Sequence, residues 1–184
     1  MPRYRAKHLV EYGLLRAVTG LLNALPYGAA LAVGAGCAAL SWPLLRRRRW
    51  ATEARLRQVL GDRYTPREAR RLLRSAWRNL FFNGVEWLRM GKVDRAWVER
   101  HVDYEGLQAV LHHAAAGRGA IFACPHMGNW ELAGVGARQL GLPLFVVARR
   151  QKNPLTDALI NRIRERAGME VFFQGEGMFM GILR

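Results

Sequence analysis

The pattern of apolar and polar positions changes twice along the chain, and each stretch predicts a different kind of structure. Residues from Ala24 to Leu45 include no charged side chain, and four arginines follow directly. The next stretch has apolar residues at helical spacing, and beyond His101 short apolar runs alternate with helical stretches. We therefore predict a hydrophobic and basic membrane-associating segment over residues 1–49, a helical region over residues 50–100 and an α/β region over residues 101–184.

The apolar N-terminal run has enough residues for a transmembrane helix, but two prolines shorten it. Pro26 and Pro43 limit an uninterrupted helix to about 16 residues, or roughly 24 Å, which is less than the hydrocarbon core of about 30 Å. We predict a membrane-associated helix, shallowly inserted or marginally spanning, with its arginines at the cytoplasmic lipid face. A secretory signal is disfavoured because the apolar run starts late and a basic stretch follows it. A buried core helix stays open as the alternative.

The helical region contains a clear helix start and a basic stripe. Thr65-Pro66-Arg67-Glu68 combines a capping residue with a proline at the first helical position. Arginines then recur on one face of the predicted helix, at Arg67, Arg71, Arg74 and Arg78. An apolar face that includes Trp77 and Leu80 lies beside this stripe. Two interpretations stay open: the helix rests on anionic lipid, or its apolar face packs on a sheet and its arginines are solvated.

The second half of the chain predicts an α/β fold with a mainly parallel sheet of right-handed βαβ units. The apolar run Ala120–Cys124 is the clearest strand, because continuous apolar runs are typical of strands covered on both faces. Further strands are predicted at residues 102–104, 144–147 and 170–173, and helices at residues 106–116, 130–140 and 154–167. Ligands bind such sheets at the carboxyl ends of the strands, so the residues that follow these ends form the candidate site.

Composition narrows the class of partner. The formal net charge is +15 and the sequence pI is about 11.3. So large a surplus predicts an anionic partner, such as a phosphate-bearing lipid, an anionic membrane leaflet, an acidic carrier protein or nucleic acid. The two cysteines, Cys37 and Cys124, do not suggest a disulfide, which favours a reducing, cytoplasmic environment. We interpret Cys124 as a buried strand residue and not as a nucleophile.

The segment after the clearest strand carries the strongest candidate chemistry. His126 follows the strand directly, and histidine is the side chain suited to proton transfer near neutral pH. Glu131 lies five residues on, where a regular helix would turn it about 140° away, so the two can cooperate only if a helix begins between them. Asn129 predicts such a helix start as its N-cap, and Gly128 would relieve the turn. The alternative is a loop histidine beside an ordinary first-turn carboxylate.

Two motifs resemble those of a known enzyme family. Pro125-His126-Met127-Gly128-Asn129-Trp130-Glu131 resembles the His-x4-Glu motif of the late (lauroyl or myristoyl) acyltransferases of lipid A biosynthesis. These enzymes form part of the lysophospholipid acyltransferase superfamily. The stretch from Arg149 to Asp157 is similar to their Arg-x3-Asn-Pro segment, with Arg149 and Asn153 in the matching places. The resemblance extends from about Leu21 to the last residue and implies a glycerolipid acyltransferase-like fold.

The resemblance implies acyl transfer from an acyl thioester to a lipid hydroxyl. His126 would be the general base and Glu131 would orient its imidazole. Backbone N–H groups at Gly128 and Asn129 would stabilise the oxyanion. Arg149 would bind a phosphate of the acceptor or pair with Glu131, and Asn153 would belong to the substrate site. The thioester is a co-substrate, so neither a cofactor nor a metal ion is expected.

The resemblance also implies partners and a location. The donor would be acyl carrier protein or acyl-coenzyme A, and the acceptor a phosphorylated lipid, with a lipid A precursor as the first choice. The expected place is the cytoplasmic face of the inner membrane. Lipid A acyltransferases continue beyond the last residues, Met178–Arg184, with more strands and an Asp-Gln motif, so we expect this α/β core to be incomplete at its C-terminus.

Alternatives from other classes stay open. The chain could acylate another glycolipid or a lysophospholipid, or it could be a non-catalytic membrane-binding fragment. Nucleic-acid binding is disfavoured, because the arginines adjoin an apolar run and no nucleic-acid module is recognised. The adjacent histidines His112 and His113 are interpreted as surface residues.

Overall fold

The computed structural model describes residues 4–119 and 121–175. These residues form, in order, α1 (Ala6–Ala24), α2 (Tyr27–Ser41), α3 (Arg46–Leu60), α4 (Pro66–Arg89), α5 (Arg95–His101), α6 (Leu107–Ala115), α7 (Trp130–Gln139), β1 (Phe145–Ala148), α8 (Pro154–Arg166) and β2 (Glu170–Phe173). Short 3-10 helices lie at Trp42–Leu45, Gly61–Arg63 and Met90–Lys92. The chain divides into a helical unit, Ala24–Glu86, and an α/β unit, Met1–Asn23 with Trp87–Arg184. The predicted boundaries near residues 49 and 100 stay predictions.

Helix α2 has the length that its flanking prolines predict. It begins directly after Pro26 and ends at Ser41, and the 3-10 helix that follows contains Pro43. The combined stretch Tyr27–Leu45 is long and apolar enough to cross a membrane by length and composition, and only 17% of its apolar window is buried. A core helix would be mostly covered, so this exposure disfavours the core-helix interpretation.

Helix α4 begins where the sequence predicts, with a reciprocal capping box. The Glu68 carboxylate accepts hydrogen bonds from the Thr65 backbone N–H at 2.8 Å and from the Thr65 hydroxyl at 2.7 Å. The Glu68 N–H in turn donates to the Thr65 hydroxyl at 3.3 Å. These contacts satisfy donors that a helix start otherwise leaves open. They also lower the pKa of Glu68, the backbone hydrogen bond from Thr65 most strongly.

Replacing Thr65 with alanine is expected to lower the free energy of unfolding by about 1 kcal/mol at neutral pH, because the hydroxyl that caps the Glu68 N–H is lost while the backbone N–H of residue 65 still donates to Glu68. The pKa of Glu68 lies below its ordinary value of 4.5 in the folded chain, so the folded state binds this proton less tightly than the unfolded state. The part of the stabilisation that comes from the Glu68 carboxylate is therefore present above that pH and is lost as the pH falls through the folded pKa, whereas the hydrogen bond from the Glu68 N–H to the Thr65 hydroxyl does not titrate. Denaturant titrations at neutral and acidic pH measure it. Ser75→Ala, in the interior of α4, is the control, and an equal loss in both variants would contradict the assignment to the cap.

Within the helical unit, α2 packs against α4 through small side chains. Ala30, Gly34 and Ala38 are the buried residues of α2, and they recur every four residues on one face. A Cβ at Gly34 would lie 2.9 Å from a Val85 methyl group, which is too close for an unshifted structure. Gly34 therefore permits this close approach of the two helices.

The two central glycines of α2 give a matched test of this packing. A Cβ added at Gly36 would meet no atom within 4 Å, so Gly36→Ala should stabilise the helix by about 0.5–1 kcal/mol. Gly34→Ala gains the same propensity but overpacks against Val85, which costs about 1–3 kcal/mol. Thermal unfolding followed by circular dichroism should therefore rank Gly36→Ala above the parent chain and Gly34→Ala below it. Equal melting temperatures for the two variants would contradict the packing.

The α/β unit contains one parallel unit of the kind that the sequence predicts, β1–α8–β2. The two strands pair in parallel, with Phe145 opposite Glu170 and Ala148 opposite Phe173. The positions of the two strands and of α6, α7 and α8 agree with the predicted elements. The described residues are mostly helical and contain a sheet of two parallel strands, which is consistent with the α/β prediction but smaller than the sheet it implies. The buried core of the unit consists of Met90, Val93, Val98, Val135, Ile163, Ala167 and Met169.

Two predicted strands are wrong within the described residues. Residues 102–104 and residues 121–124 have no strand conformation, Ala120 lies outside the described residues, and Ile121 is fully exposed. A cavity of about 530 Å³, lined in part by Phe122, Phe145 and Val147, lies beside residues 121–122. A strand requires a hydrogen-bonded neighbour as well as apolar side chains, and the local pattern cannot supply one. Cys124 is consequently exposed, not a buried strand residue as expected. The C-terminal residues Met178–Arg184 lie outside the described residues.

Candidate active site

His126 occupies an unusual backbone conformation in the turn before α7. Its φ is 53°, and among the described residues it is the one non-glycine with a positive φ. Such a conformation is costly for a side chain with a Cβ, and residues held in it cluster at functional sites. Gly128, with φ 60°, adopts a related conformation two residues later without that cost. The turn therefore displays the imidazole at an exposed position through a strained backbone.

The contact between His126 Nδ1 and a backbone carbonyl favours one tautomer of the neutral imidazole. Its Nδ1 lies 3.2 Å from the backbone carbonyl oxygen of Cys124. A carbonyl oxygen only accepts, so Nδ1 is the donor and Nε2 of the neutral ring keeps its lone pair. The ring also contacts the Trp130 ring, with centroids 4.8 Å apart. A backbone carbonyl and an indole thus hold an imidazole whose Nε2 can act as a base.

The helix starts between His126 and Glu131, as the sequence predicts. Helix α7 begins at Trp130, and the Asn129 side chain caps it by accepting a hydrogen bond from the Leu132 N–H at 3.1 Å. Glu131 falls in the first turn, where a carboxylate favours the helix dipole. The predicted cap is confirmed. Gly128 and Asn129 directly precede the first helical residue of α7, and both make further interactions.

Glu131 is bound by an arginine that the sequence pattern did not single out. Its two carboxylate oxygens accept hydrogen bonds from Arg164 of α8, from Nε at 2.9 Å and from Nη2 at 2.5 Å. The side chains are 23% and 15% exposed. The Arg164 guanidinium also faces the Trp87 ring at 5.9 Å and lies 3.4 Å from Asn161 Oδ1. Within the described part of the chain, no hydrogen bond joins Glu131 to His126.

The pairing of Arg164 with Glu131 carries no local sequence signal. The two residues are separated by 33 positions, and Arg164 lies in a helix with exposed arginines at Arg162 and Arg166. Only the fold, which brings α8 next to α7, distinguishes it from them. The sequence suggested Arg149 as a partner for Glu131, and in the structure Arg164 makes that pair.

Arg149 itself follows β1 directly and is exposed. The loop after it is fixed by Asp157, which accepts a hydrogen bond from the Gln151 N–H at 2.8 Å and lies 3.8 Å from the Arg150 guanidinium. Arg150 also covers the Phe173 ring at 4.0 Å. Arg149 is thus an exposed cation at the carboxyl end of the strand, the predicted place for it.

Asn153 has a structural position. Its side chain is 5% exposed, caps α8 by accepting from the Leu155 N–H at 3.1 Å, and donates to the His8 carbonyl at 3.0 Å and to the Glu11 carboxylate at 2.9 Å. Both amide hydrogens are therefore used to attach α1. Asn153 therefore anchors α1, and its predicted place in the substrate site stays a prediction.

Two substitutions at Asn153 separate its two roles, the capping of α8 and the attachment of α1. Asn153→Ala should lower the free energy of unfolding by about 2–3 kcal/mol, because it removes the cap of α8 and both hydrogen bonds to the first half of α1. Asn153→Ser keeps a capping oxygen but is too short to reach α1, so it should recover about 1 kcal/mol of that loss. Limited proteolysis should cut α1 faster in both variants. Gln151→Ala in the exposed loop is the control, and unchanged proteolysis of α1 in the Asn153 variants would contradict the anchoring.

Known proteins that resemble this chain are acyltransferases, in agreement with the motifs. A curated relative, the phosphatidylinositol mannoside acyltransferase of Mycolicibacterium smegmatis, is 33% identical over 95 residues, which are 52% of this chain and 29% of the relative's length. No solved structure matches the chain. The family model described as bacterial lipid A biosynthesis acyltransferase matches residues 3–184, nearly the whole chain. The chain belongs to the bacterial lipid A biosynthesis acyltransferase family.

Proposed function

We propose that the protein transfers a fatty acyl group from an acyl thioester to a hydroxyl of a phosphorylated lipid, with His126 as the general base. The observation that carries this proposal is the imidazole geometry. Its Nδ1 is bound to the Cys124 carbonyl and its Nε2 is left as a proton acceptor in an exposed turn. Membership of an acyltransferase family supports the reaction class.

The residues of this turn account for every proton transfer and bond change in the proposed reaction. Nε2 of His126 takes the proton from the acceptor hydroxyl as its oxygen attacks the thioester carbonyl carbon. The carbonyl oxygen becomes an oxyanion, for which N–H groups around Gly128 and Asn129 at the start of α7 are the proposed donors. The C–S bond then breaks, and the departing thiolate receives the proton from the imidazolium. The products are the ester and the free thiol of the donor.

Glu131 is proposed to act on His126 indirectly. Its ion pair with Arg164 ties the first turn of α7 to α8, and the turn that carries His126 leads directly into that first turn. The imidazole is oriented by the Cys124 carbonyl. Glu131 and Arg164 are therefore positioning residues in this proposal, and a direct Glu131–imidazole contact is not required.

Substrate contacts are proposed from charge and shape. Arg149, exposed at the end of β1, would bind a phosphate of the acceptor lipid. The cavity of about 530 Å³ beside residues 121–122 has apolar walls from Phe122, Leu144 and Val147, which suit a fatty acyl chain. The net charge of +15 favours an acidic donor such as acyl carrier protein, with acyl-coenzyme A as the other candidate.

The proposed place of action is the cytoplasmic face of the inner membrane. The apolar stretch Tyr27–Leu45 would lie in or across the bilayer, and the adjoining arginines would meet anionic headgroups. A lipid A precursor is the acceptor that the family description favours. The mycobacterial relative supports a second candidate, a mannosylated phosphoinositide.

The test is a transfer assay with the full chain in lipid vesicles. Labelled acyl groups are offered on acyl carrier protein and on coenzyme A, each with a lipid A precursor or a phosphatidylinositol mannoside as acceptor. A labelled ester on either acceptor is expected, and the faster acceptor identifies the substrate class. Vesicle binding without any transfer from either donor would support a non-catalytic membrane-binding protein and overturn the proposal.

A further inference from the structure

The helical unit contains a cavity that the proposed reaction does not use. It has a volume of about 310 Å³ and lies between α2 and α4. Its apolar floor comes from alanines of α2, including Ala35 and Ala39, and from Trp77. Arg74 and Arg78 of α4 also line it, while the described lining includes no carboxylate. We infer that this cavity binds the phosphate headgroup of an anionic phospholipid, with the start of an acyl chain along the alanines of α2.

The two arginines are arranged to hold one anion. Arg74 and Arg78 are one turn apart on the same face of α4, and both are exposed. Among the described residues neither forms an ion pair with a carboxylate. Aromatic rings hold them instead: the Arg74 guanidinium carbon lies 5.6 Å from the centre of the Trp42 ring, and that of Arg78 lies 5.5 Å from Phe82. Guanidinium groups stacked in this way keep their N–H donors available for phosphate oxygens.

A third arginine and two buried donors without a described partner lie beside the same cavity. The Arg49 guanidinium carbon is 5.0 Å from the centre of the Trp42 ring, so two arginines contact one indole. The indole N–H of Trp42 and the Nε–H of Arg49 are buried and have no hydrogen-bond partner among the described residues. Buried donors are normally satisfied, so two unmet ones beside a cationic cavity indicate a missing acceptor. A phosphate group supplies several acceptor oxygens.

Position along the chain favours a lipid as the source of that phosphate. Trp42 belongs to the 3-10 helix at the end of the apolar stretch Tyr27–Leu45. Leu40 and Leu44, on either side of it, are 81% and 84% exposed. Aromatic and arginine side chains that follow an apolar helix lie at headgroup depth when the helix enters a bilayer. A free phosphate ion would make no use of the apolar floor or of these leucines.

This inference rests on the proposed membrane association and does not depend on acyl transfer. The two can fail separately, because lipid binding is measured without a thioester donor. A chain that binds vesicles but shows no headgroup preference would lose the lipid site and keep the membrane association.

The experiment compares two double variants with the same change in charge. The full chain is titrated with vesicles of phosphatidylcholine that contain a fixed fraction of phosphatidylglycerol. Arg74→Gln with Arg78→Gln removes the cavity arginines, while Arg67→Gln with Arg71→Gln removes two arginines from the same stripe outside the cavity. The loss of diffuse attraction to the anionic surface should weaken vesicle binding by about fivefold per arginine in either pair. If the cavity binds a headgroup, the variant without the cavity arginines should bind the vesicles roughly tenfold more weakly than the matched variant. Equal losses would overturn the inference.

Two further measurements keep the test decisive. Ala39→Phe fills the floor without changing charge, and it should abolish most of the preference for phosphatidylglycerol over phosphatidylcholine. This variant also tests the site if the Arg74→Gln, Arg78→Gln double variant unfolds and loses its helical circular dichroism signal. Excess inorganic phosphate should not displace the vesicles. An unchanged preference in Ala39→Phe, or displacement by inorganic phosphate that depends on Arg74 and Arg78, would show that the cavity does not hold a phospholipid.

Discussion

His126→Gln should lower the turnover number of acyl transfer by about 10²–10⁴-fold, the usual contribution of a general base. Glutamine is close in size and can still donate to the Cys124 carbonyl, but it offers no basic nitrogen where Nε2 lies. The loss should appear in kcat, because the proton transfer occurs in the transition state and contributes little to ground-state binding. Initial rates at saturating acceptor measure it.

His113→Gln is the matched control, since His113 is an exposed histidine on α6 outside the candidate site. Its rate should equal that of the parent chain. Circular dichroism must show the same helical content in both variants. A His126→Gln protein that is folded and fully active would show that His126 is not the general base.

Breaking the Glu131–Arg164 pair should cost both stability and rate. The two side chains are mostly covered, so removal of either partner leaves the other charge partly buried and should destabilise the protein by about 2 kcal/mol, between the values for exposed and buried pairs. Glu131→Gln, Arg164→Met and the double variant form a cycle in denaturant titrations. The double variant should lose less than the sum of the single losses. Arg166→Met, on the exposed side of α8, should be near neutral.

The rates of the same variants distinguish two roles for Glu131. If it positions the start of α7 through Arg164, both single variants should lose transfer activity to a similar extent, and the double variant should be no worse than either. If it instead orients His126 directly, Arg164→Met frees the carboxylate and should retain activity while Glu131→Gln loses it. The second pattern would contradict the indirect role.

The elements with strong local signals are those that the sequence predicted well. The helices α7 and α8 have clear periodicity and end at glycines, Gly141 and Gly168, whose positive φ values stop them. The start of α4 also has a local sequence signal, because Thr65 and Glu68 are three residues apart. The run 121–124 failed because a strand depends on a neighbouring strand, which the apolar pattern of one segment does not specify.

The contacts of the candidate site also fall into local ones, which the sequence predicts, and long-range ones, which it does not. The turn at His126 and the cap at Asn129 follow from neighbouring residues and could be predicted. The ion pair of Glu131 depends on a helix 33 residues away, and the anchoring of α1 by Asn153 depends on residues more than 140 positions away. Such contacts are products of the fold. For Asn153, the motif resemblance indicated an important position but not its structural cause.

The role of His126 as the general base depends on the tautomer of its imidazole. Nitrogen-15 NMR of the folded chain, with the His126 signals assigned by their loss in His126→Gln, reports which ring nitrogen is protonated in the neutral imidazole. The spectra would be recorded at about pH 9, where an ordinary histidine is neutral. We expect a protonated Nδ1 and a bare Nε2, as the hydrogen bond to the Cys124 carbonyl requires. A protonated Nε2 with a bare Nδ1 would contradict the proposal, because Nε2 would then have no lone pair with which to accept the proton of the acceptor hydroxyl.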